Sequence, residues 1–144
     1  MTVKIYFSAS MSGGRDQAHL YPAIIEALQA KGEVLTAFIG DQGITRMGEE
    51  DMTPEEIYGR DIDLIDECHM MVADVTVPSL GVGVEIAHAQ YKGKPVLALY
   101  QPVEGRRLSA MIAGDANVTV RKYYSIIEAR EAIYEYFRET EIEE

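Results

Sequence analysis

Short, continuous apolar runs alternate along this chain with longer stretches in which apolar residues recur every three or four positions. "TVKIYFSAS" alternates and is rich in β-formers, so Val3–Ser8 is predicted as a strand. "MSGGRD" follows as a loop. From Gln17 onward, Leu20, Ile24, Ile25 and Leu28 fall on one helical stripe; Pro22 fits its first turns and Gly32 stops it. "EVLTAF" predicts a second strand, and Ile39–Met52 a polar, glycine-containing loop. Thr53 as N-cap, Pro54 at N1 and Glu56 at N3 then start a helix through Ile57, Asp61, Leu64, Ile65 and Cys68. "MMVADV" and "KPVLALY" read as strands buried on both faces. The segment between them predicts a helix from about Gly83 to Lys92, ended by Gly93. "LSAMIAG" fits a short helix and "NVTVRKY" a fifth strand. Ser125 with Glu128 makes a capping box for a last helix reaching about Thr140.

Strands and helices therefore alternate throughout. Parallel strands need long, right-handed crossovers, so the pattern implies an α/β fold: a doubly wound, five-stranded parallel sheet, Rossmann-like or flavodoxin-like, with helices on both faces. Residues 1–144 are expected to form a single domain, a usual size for one core, with no repeat or linker. In such folds ligands bind at the carboxyl ends of strands, which directs attention to Tyr6–Arg15, Asp74–Glu85 and Tyr100–Ser109.

Composition narrows the function classes. Hydrophobic residues make up 47% of the chain, enough for a core. No apolar run approaches the roughly 20 residues of a membrane span, and no basic segment followed by a long apolar one marks a secretory signal. Cys68 stands alone, so no intrachain disulfide forms, and a reducing, cytoplasmic setting is expected. Thirteen basic against 24 acidic residues give a net charge of −11. That field repels nucleic acid and anionic membranes. A small phosphate remains allowed, because local N–H and hydroxyl donors can hold it in a pocket. The acids of "GEEDMTPEE" and "ETEIEE" read as solvated faces.

"PSLGVGVE" carries the strongest chemical pattern. Gly81 and Gly83 can adopt positive φ and leave room for a ligand at the backbone, and the helix start that follows attracts an anion. It is not the dinucleotide fingerprint, because Ile86 stands where a third small residue belongs and the loop follows the third strand. Glu85, expected in the first helical turn, reads either as a dipole-compensating carboxylate or as a reacting group. "SASMSGGRD" offers Ser8, Ser10, Ser12, Gly13, Gly14 and Arg15, which suit a phosphate or sugar hydroxyl and equally suit a turn. Tyr6 is a strand aromatic near a strand end. Asp61 lies on or beside the apolar stripe of its helix and needs a cavity or a partner such as Arg60. His19, His69 and His88 share no ligand spacing, and no HExxH is present, so no metal is expected. Ser109 lacks a nucleophile-elbow context, and the methionines read as core filler.

Taken in order, "IYFSASMSGGRDQ", "GRDIDLI", "ADVTVPSLGVGVEI" and "GRRLSAMIAG" resemble the 2'-deoxynucleoside 5'-phosphate N-hydrolase family, a branch of the nucleoside 2-deoxyribosyltransferase superfamily. The likeness runs from Val3 to about Gly114. It implies hydrolysis of a deoxynucleoside monophosphate to free base and 2-deoxyribose 5-phosphate, with no cofactor. By the same resemblance Glu85 is the nucleophile, Tyr6 positions it, and Asp61 stands near the leaving base. Ser79 and the Gly81 N–H hold the phosphate, joined by Ser109 from the neighbouring subunit of a homodimer. Ala9, Ser10, Met11, Ser12, Gly13 and Arg15 fall in the segment that wraps the nucleotide. The chain departs from the family at Ser12, where an arginine is common, and at Phe38, where a histidine is common; both lie on the expected base side. Three rival readings share the fold: a deoxyribosyltransferase, a CMP-type ribonucleotide N-hydrolase and a non-catalytic nucleotide-binding module. The transferases carry an aspartate six residues before the nucleophile, where this chain has Ser79, and a serine suits a phosphate that an aspartate would repel. Retention of Tyr6, Asp61 and Glu85 argues against a silent module.

Overall fold

The computed structural model describes residues 2–10, 17–40 and 51–142. Five strands form one sheet in the order β2-β1-β3-β4-β5, and every pairing is parallel. They are β1 (Lys4–Ser8), β2 (Glu33–Val34), β3 (Met70–Asp74), β4 (Val96–Tyr100) and β5 (Val118–Lys122). The helices are α1 (Tyr21–Gln29), α2 (Pro54–Glu67), α3 (Leu80–Tyr91), α4 (Ala110–Ala113) and α5 (Ile126–Thr140). The doubly wound α/β expectation holds.

Strand alternation divides the core into two layers. Ile5, Phe7, Met70, Val72, Leu97 and Leu99 face α1 and α5, packing on Tyr21, Ile24, Leu28, Ile133 and Phe137. Tyr6, Met71, Ala73, Val96 and Ala98 face the other way, onto Ile65 of α2 and Val82, Ile86 and Ala89 of α3. All residues of β3 and β4 are buried, as a parallel sheet covered on both faces requires. Side chains two apart on a strand share a face, so Tyr6 and Ser8 both point toward the α2/α3 layer. Chain order reverses direction between β1 and β3, which puts the ligand crevice of such a sheet at their carboxyl ends.

Three local expectations change. The second strand stops at Val34, and a single 3-10 turn, Ala37–Gly40, replaces its predicted end. Thr36 explains the shortening: its Oγ1 accepts from the Phe7 N–H at 2.9 Å and donates to the Phe7 carbonyl at 2.7 Å. One side chain thus satisfies the β1 groups that further main-chain pairing would have served. α3 starts at Leu80, not Gly83, because Ser79 caps it and accepts from the Val82 N–H at 3.2 Å. Gly81 and Gly83 therefore lie inside the helix. Among the described glycines only Gly93 and Gly105 have positive φ, so Gly81 and Gly83 do not use the left-handed freedom open to them. At the start of α5, Ser125 Oγ accepts from the Glu128 N–H at 3.2 Å, but Glu128 reaches back to the Tyr124 N–H at 2.8 Å, one residue earlier than in a strict box. The capping box of α2 is complete, with Thr53 accepting from Glu56 N at 3.1 Å and Glu56 accepting from Thr53 N at 2.9 Å. Among the described residues no helix is long and apolar enough to cross a membrane.

Candidate active site

Three elements bring four polar side chains together. β1 supplies Tyr6 and Ser8, α2 supplies Asp61, and α3 supplies Glu85. Starting α3 at Leu80 moves Glu85 out of the first turn, which contains no acid. Glu85 is therefore too far along the helix to cap it, and the capping alternative fails on geometry. Its carboxylate turns instead toward the sheet. Ser8 Oγ donates to Glu85 Oε1 at 2.7 Å. Tyr6 and Asp61 lie near enough to Glu85 to act on its charge. On its far side Asp61 accepts from Arg60 Nε at 3.0 Å through Oδ1.

Burial dominates the electrostatics. It pushes the Glu85 carboxyl up from its ordinary 4.5 to about 7; Ser8 and Tyr6 pull it down, and the facing Asp61 adds to the rise. A neighbouring carboxylate disfavours the Glu85 charge, so Glu85 holds its proton to higher pH. The Tyr6 hydroxyl is driven far above its usual range, first by burial and then by the charges of Glu85 and Asp61. It stays a neutral donor, able to aim Glu85 but not to act as a base.

A cleft of about 540 Å³ opens beside α3. Its walls include Ser79, Leu80 and Gly83 from the start of α3, and Arg107, Ser109 and Met111 from the segment entering α4. Glu85 is not among its lining residues; it faces the sheet. This cleft is thus not the reacting centre but the flank at the start of α3. Ser79 and Ser109 each cap a helix, accepting from Val82 N and Met111 N at 3.2 Å, which leaves their hydroxyl protons available to donate. Gly81 lies in the first turn, where backbone N–H groups have no carbonyl one turn back. From Ser79 to Glu85 the helix rises about 9 Å. A Cβ at Gly83 would meet nothing within 4 Å, so that surface is open.

Ala9 and Ser10 are buried, Ala9 in the core layer beneath α1. Met11, Ser12, Gly13 and Arg15 lie outside the described residues. Sequence reasoning placed Ser8 among turn or phosphate groups, whereas it serves Glu85; its position two residues after Tyr6 was the available signal. It also passed over Asp74, whose only mark was an acid ending an apolar strand. Among the described residues no three His, Cys, Asp or Glu side chains gather as a metal site would need.

Comparison with known proteins gives a consistent set of relatives. The family model for nucleoside 2-deoxyribosyltransferase matches residues 5–120. A Nematostella vectensis protein, named among the 2'-deoxynucleoside 5'-phosphate N-hydrolases, is 47% identical over 121 residues, spanning 81% of this chain and 80% of its own. The 5-hydroxymethyl-dUMP N-hydrolase of Tetraodon nigroviridis is 43% identical over 116 residues, 80% of this chain and 82% of its own. The rat enzyme of that name, from Rattus norvegicus, is 41% identical over 114 residues, 78% and 70% of the two chains. The structure of the Clostridium botulinum CMP N-glycosidase BcmB superposes with a TM-score of 0.64 at 23% identity, over 92% of this chain and 98% of that one, and shares the fold.

Proposed function

Because the chain belongs to the nucleoside 2-deoxyribosyltransferase family, we propose that it hydrolyses the N-glycosidic bond of 2'-deoxynucleoside 5'-monophosphates, releasing free base and 2-deoxyribose 5-phosphate. The observation that carries the mechanism is the Glu85 carboxyl, held by Ser8 at 2.7 Å and by Tyr6 while facing Asp61. In the productive state Glu85 is ionised and Asp61 serves as the proton donor. A Glu85 oxygen forms a bond to C1' as the bond from C1' to the base nitrogen breaks, and Asp61 delivers its proton to the departing base. Water then attacks C1', returns a proton to Asp61 and frees Glu85. Tyr6 and Ser8 fix the aim of Glu85. The scheme uses water alone and requires no cofactor.

Ser79, the Gly81 N–H and Ser109 hold the 5'-phosphate, so that binding energy remote from C1' orients the sugar. Ser109 serves the site of a second copy, in a homodimer. Support comes from the apolar surface around the cleft: Leu80, Val84 and Tyr91 on α3 and Met111 on α4 are 93%, 55%, 85% and 82% exposed. Such a cluster suits an interface between copies. The chain works as one domain, and a lone buried thiol, Cys68, fits a cytoplasmic enzyme.

The test is a panel of the four dNMPs and four NMPs, with base release followed by chromatography. Base with stoichiometric deoxyribose 5-phosphate from dNMPs is expected. Release from NMPs alone, or transfer of deoxyribose to an added base, overturns the reading. Activity per chain should fall on dilution as dimer dissociates; a fully active monomer by sedimentation removes Ser109 from the shared site.

A further inference from the structure

The cleft at the start of α3 is walled mainly by apolar and neutral polar residues. Among the described residues that line it, only Arg107 and Asp115 carry charge. Asp115 is used within the fold. Its Oδ2 accepts from Gln90 Nε2 at 2.8 Å, which ties the far end of α3 to the turn after α4, and its Oδ1 accepts from the Asn117 N–H at 2.9 Å. Both oxygens of that carboxylate are thus engaged. Arg107 is exposed, and among the described residues it has neither ion pair nor hydrogen bond. Acids outnumber bases 24 to 13, so partners for a cation are plentiful. Lys4 pairs with Glu67 at 3.1 Å, Lys92 with Asp66 at 3.7 Å and Arg121 with Glu139 at 3.0 Å. Against that background, the one cation of the cleft wall is left free.

We infer that Arg107 is a specificity-determining residue, whose guanidinium meets the 5'-phosphate of the substrate and selects phosphorylated over unphosphorylated deoxyribosides. The inference rests on the phosphate site proposed above and adds the charge which that site lacks. Ser79, the Gly81 N–H and Ser109 are neutral donors. A phosphate monoester brings close to two negative charges at neutral pH, and the chain that receives it already carries −11. Neutral donors orient such a group but do not offset its repulsion by the rest of the molecule. A guanidinium does both, because it keeps its charge and its planar fork matches two phosphate oxygens. Arg107 stands two residues before Ser109 on the segment entering α4. Whichever copy's cleft that serine completes therefore receives the cation with it.

The experiment measures binding of 2-deoxyribose 5-phosphate by calorimetry to the parent protein and to Arg107→Gln, Arg107→Lys and Arg107→Glu, at low and at high salt. Arg107→Gln should bind roughly 10–30-fold more weakly, the loss of one charge-assisted contact. Arg107→Glu should be weaker still, and Arg107→Lys should lie between the parent and Arg107→Gln. Added salt should weaken the parent more than Arg107→Gln, because the variant has no ionic contact to screen. With a dNMP as substrate, KM should rise by the same factor while kcat stays within about twofold, since the contact is remote from C1'. An exposed side chain contributes little to folding, so melting temperatures should not move; a structural role would move them and leave the salt dependence alone. Unchanged affinity and salt dependence in both Arg107→Gln and Arg107→Glu overturn the inference, as does a loss in Arg107→Lys equal to that in Arg107→Gln. The two ideas separate on the parent. If the parent binds neither 2-deoxyribose 5-phosphate nor a dNMP, the phosphate site fails and Arg107 with it; if the parent binds and Arg107→Gln matches it, only the role of Arg107 falls.

Discussion

Two acids, Asp74 buried and Glu85 half-buried, lie near the carboxyl end of β3, each beside a tyrosine, and they do opposite jobs. Asp74, the last residue of β3, is 1% exposed. It accepts from the Tyr123 hydroxyl at 2.6 Å and from the Thr76 N–H at 3.0 Å. Gln17 continues the network, donating to Gln101 at 2.7 Å and to the Tyr123 hydroxyl at 3.4 Å, while Gln101 N donates to Thr76 Oγ1 at 2.9 Å. Burial raises the Asp74 carboxyl, but donors alone surround it and pull it back. Glu85 also has its tyrosine and a hydroxyl donor, but its third neighbour is another acid. A carboxylate ringed by donors is satisfied and holds strands together. One that faces a second carboxylate retains a proton to move and an oxygen to use. Burial and a tyrosine do not mark the reacting group; the unmatched neighbour does.

Substitution of the two acids' partners should pull this contrast apart. The largest effect belongs to Glu85→Gln. The amide keeps an acceptor for Ser8 and a donor for Asp61, so the fold survives while turnover falls by at least about 10³-fold. Single-turnover base release checks it, and a variant within tenfold of the parent would end the nucleophile role. Next is pH. Burial pushes the Glu85 carboxyl up to about 7, and it must be ionised to attack. In the parent, kcat/KM should therefore rise about tenfold per pH unit below that point and level off above it. A profile flat from pH 5 to 8 shows that Glu85 is not the ionised nucleophile.

The third effect concerns the tyrosines. Tyr6→Phe should cost roughly 10–100-fold in kcat through the lost hydroxyl beside Glu85, with little change in melting temperature. Tyr123→Phe should do the reverse, lowering stability by about 1–3 kcal/mol and leaving kcat within twofold. Matching losses of rate in both variants would erase the distinction. The smallest expected effect is a gain. Between the ordinary value of 4.5 and about 7, the unfolded chain releases the Glu85 proton while the folded chain keeps it. Folding therefore weakens as pH rises through that window, and the penalty is absent below it. Glu85→Gln removes the penalty and should be more stable than the parent at pH 8 by on the order of 2 kcal/mol, and equal to it at pH 4. Thermal melts at the two values decide this.

Much of the architecture could be read directly from the chain. The apolar runs of β3 and β4, the stripe of α1 and the start signal at Thr53 are local patterns, and local patterns are what sequence records. The parallel sheet followed from their order. Thr36 ended β2 early because a hydroxyl 29 positions from Phe7 met its backbone, and no propensity holds that information. Ser79 moved the start of α3 by one turn, and with it the meaning of Glu85, through a cap that competes evenly with a glycine loop on sequence alone. The residue types of the site, a glutamate, an aspartate and a tyrosine, were present in the motifs. Their contact was not, since 55 residues separate Tyr6 from Asp61 and 24 separate Asp61 from Glu85. By itself the sequence determined which segments become strands and helices, because backbone preference and apolar spacing act over a few residues. Only the tertiary structure decided that Glu85 would face Asp61 while Asp74 would face only donors, because the environment of a buried charge is set by whatever the sheet brings against it.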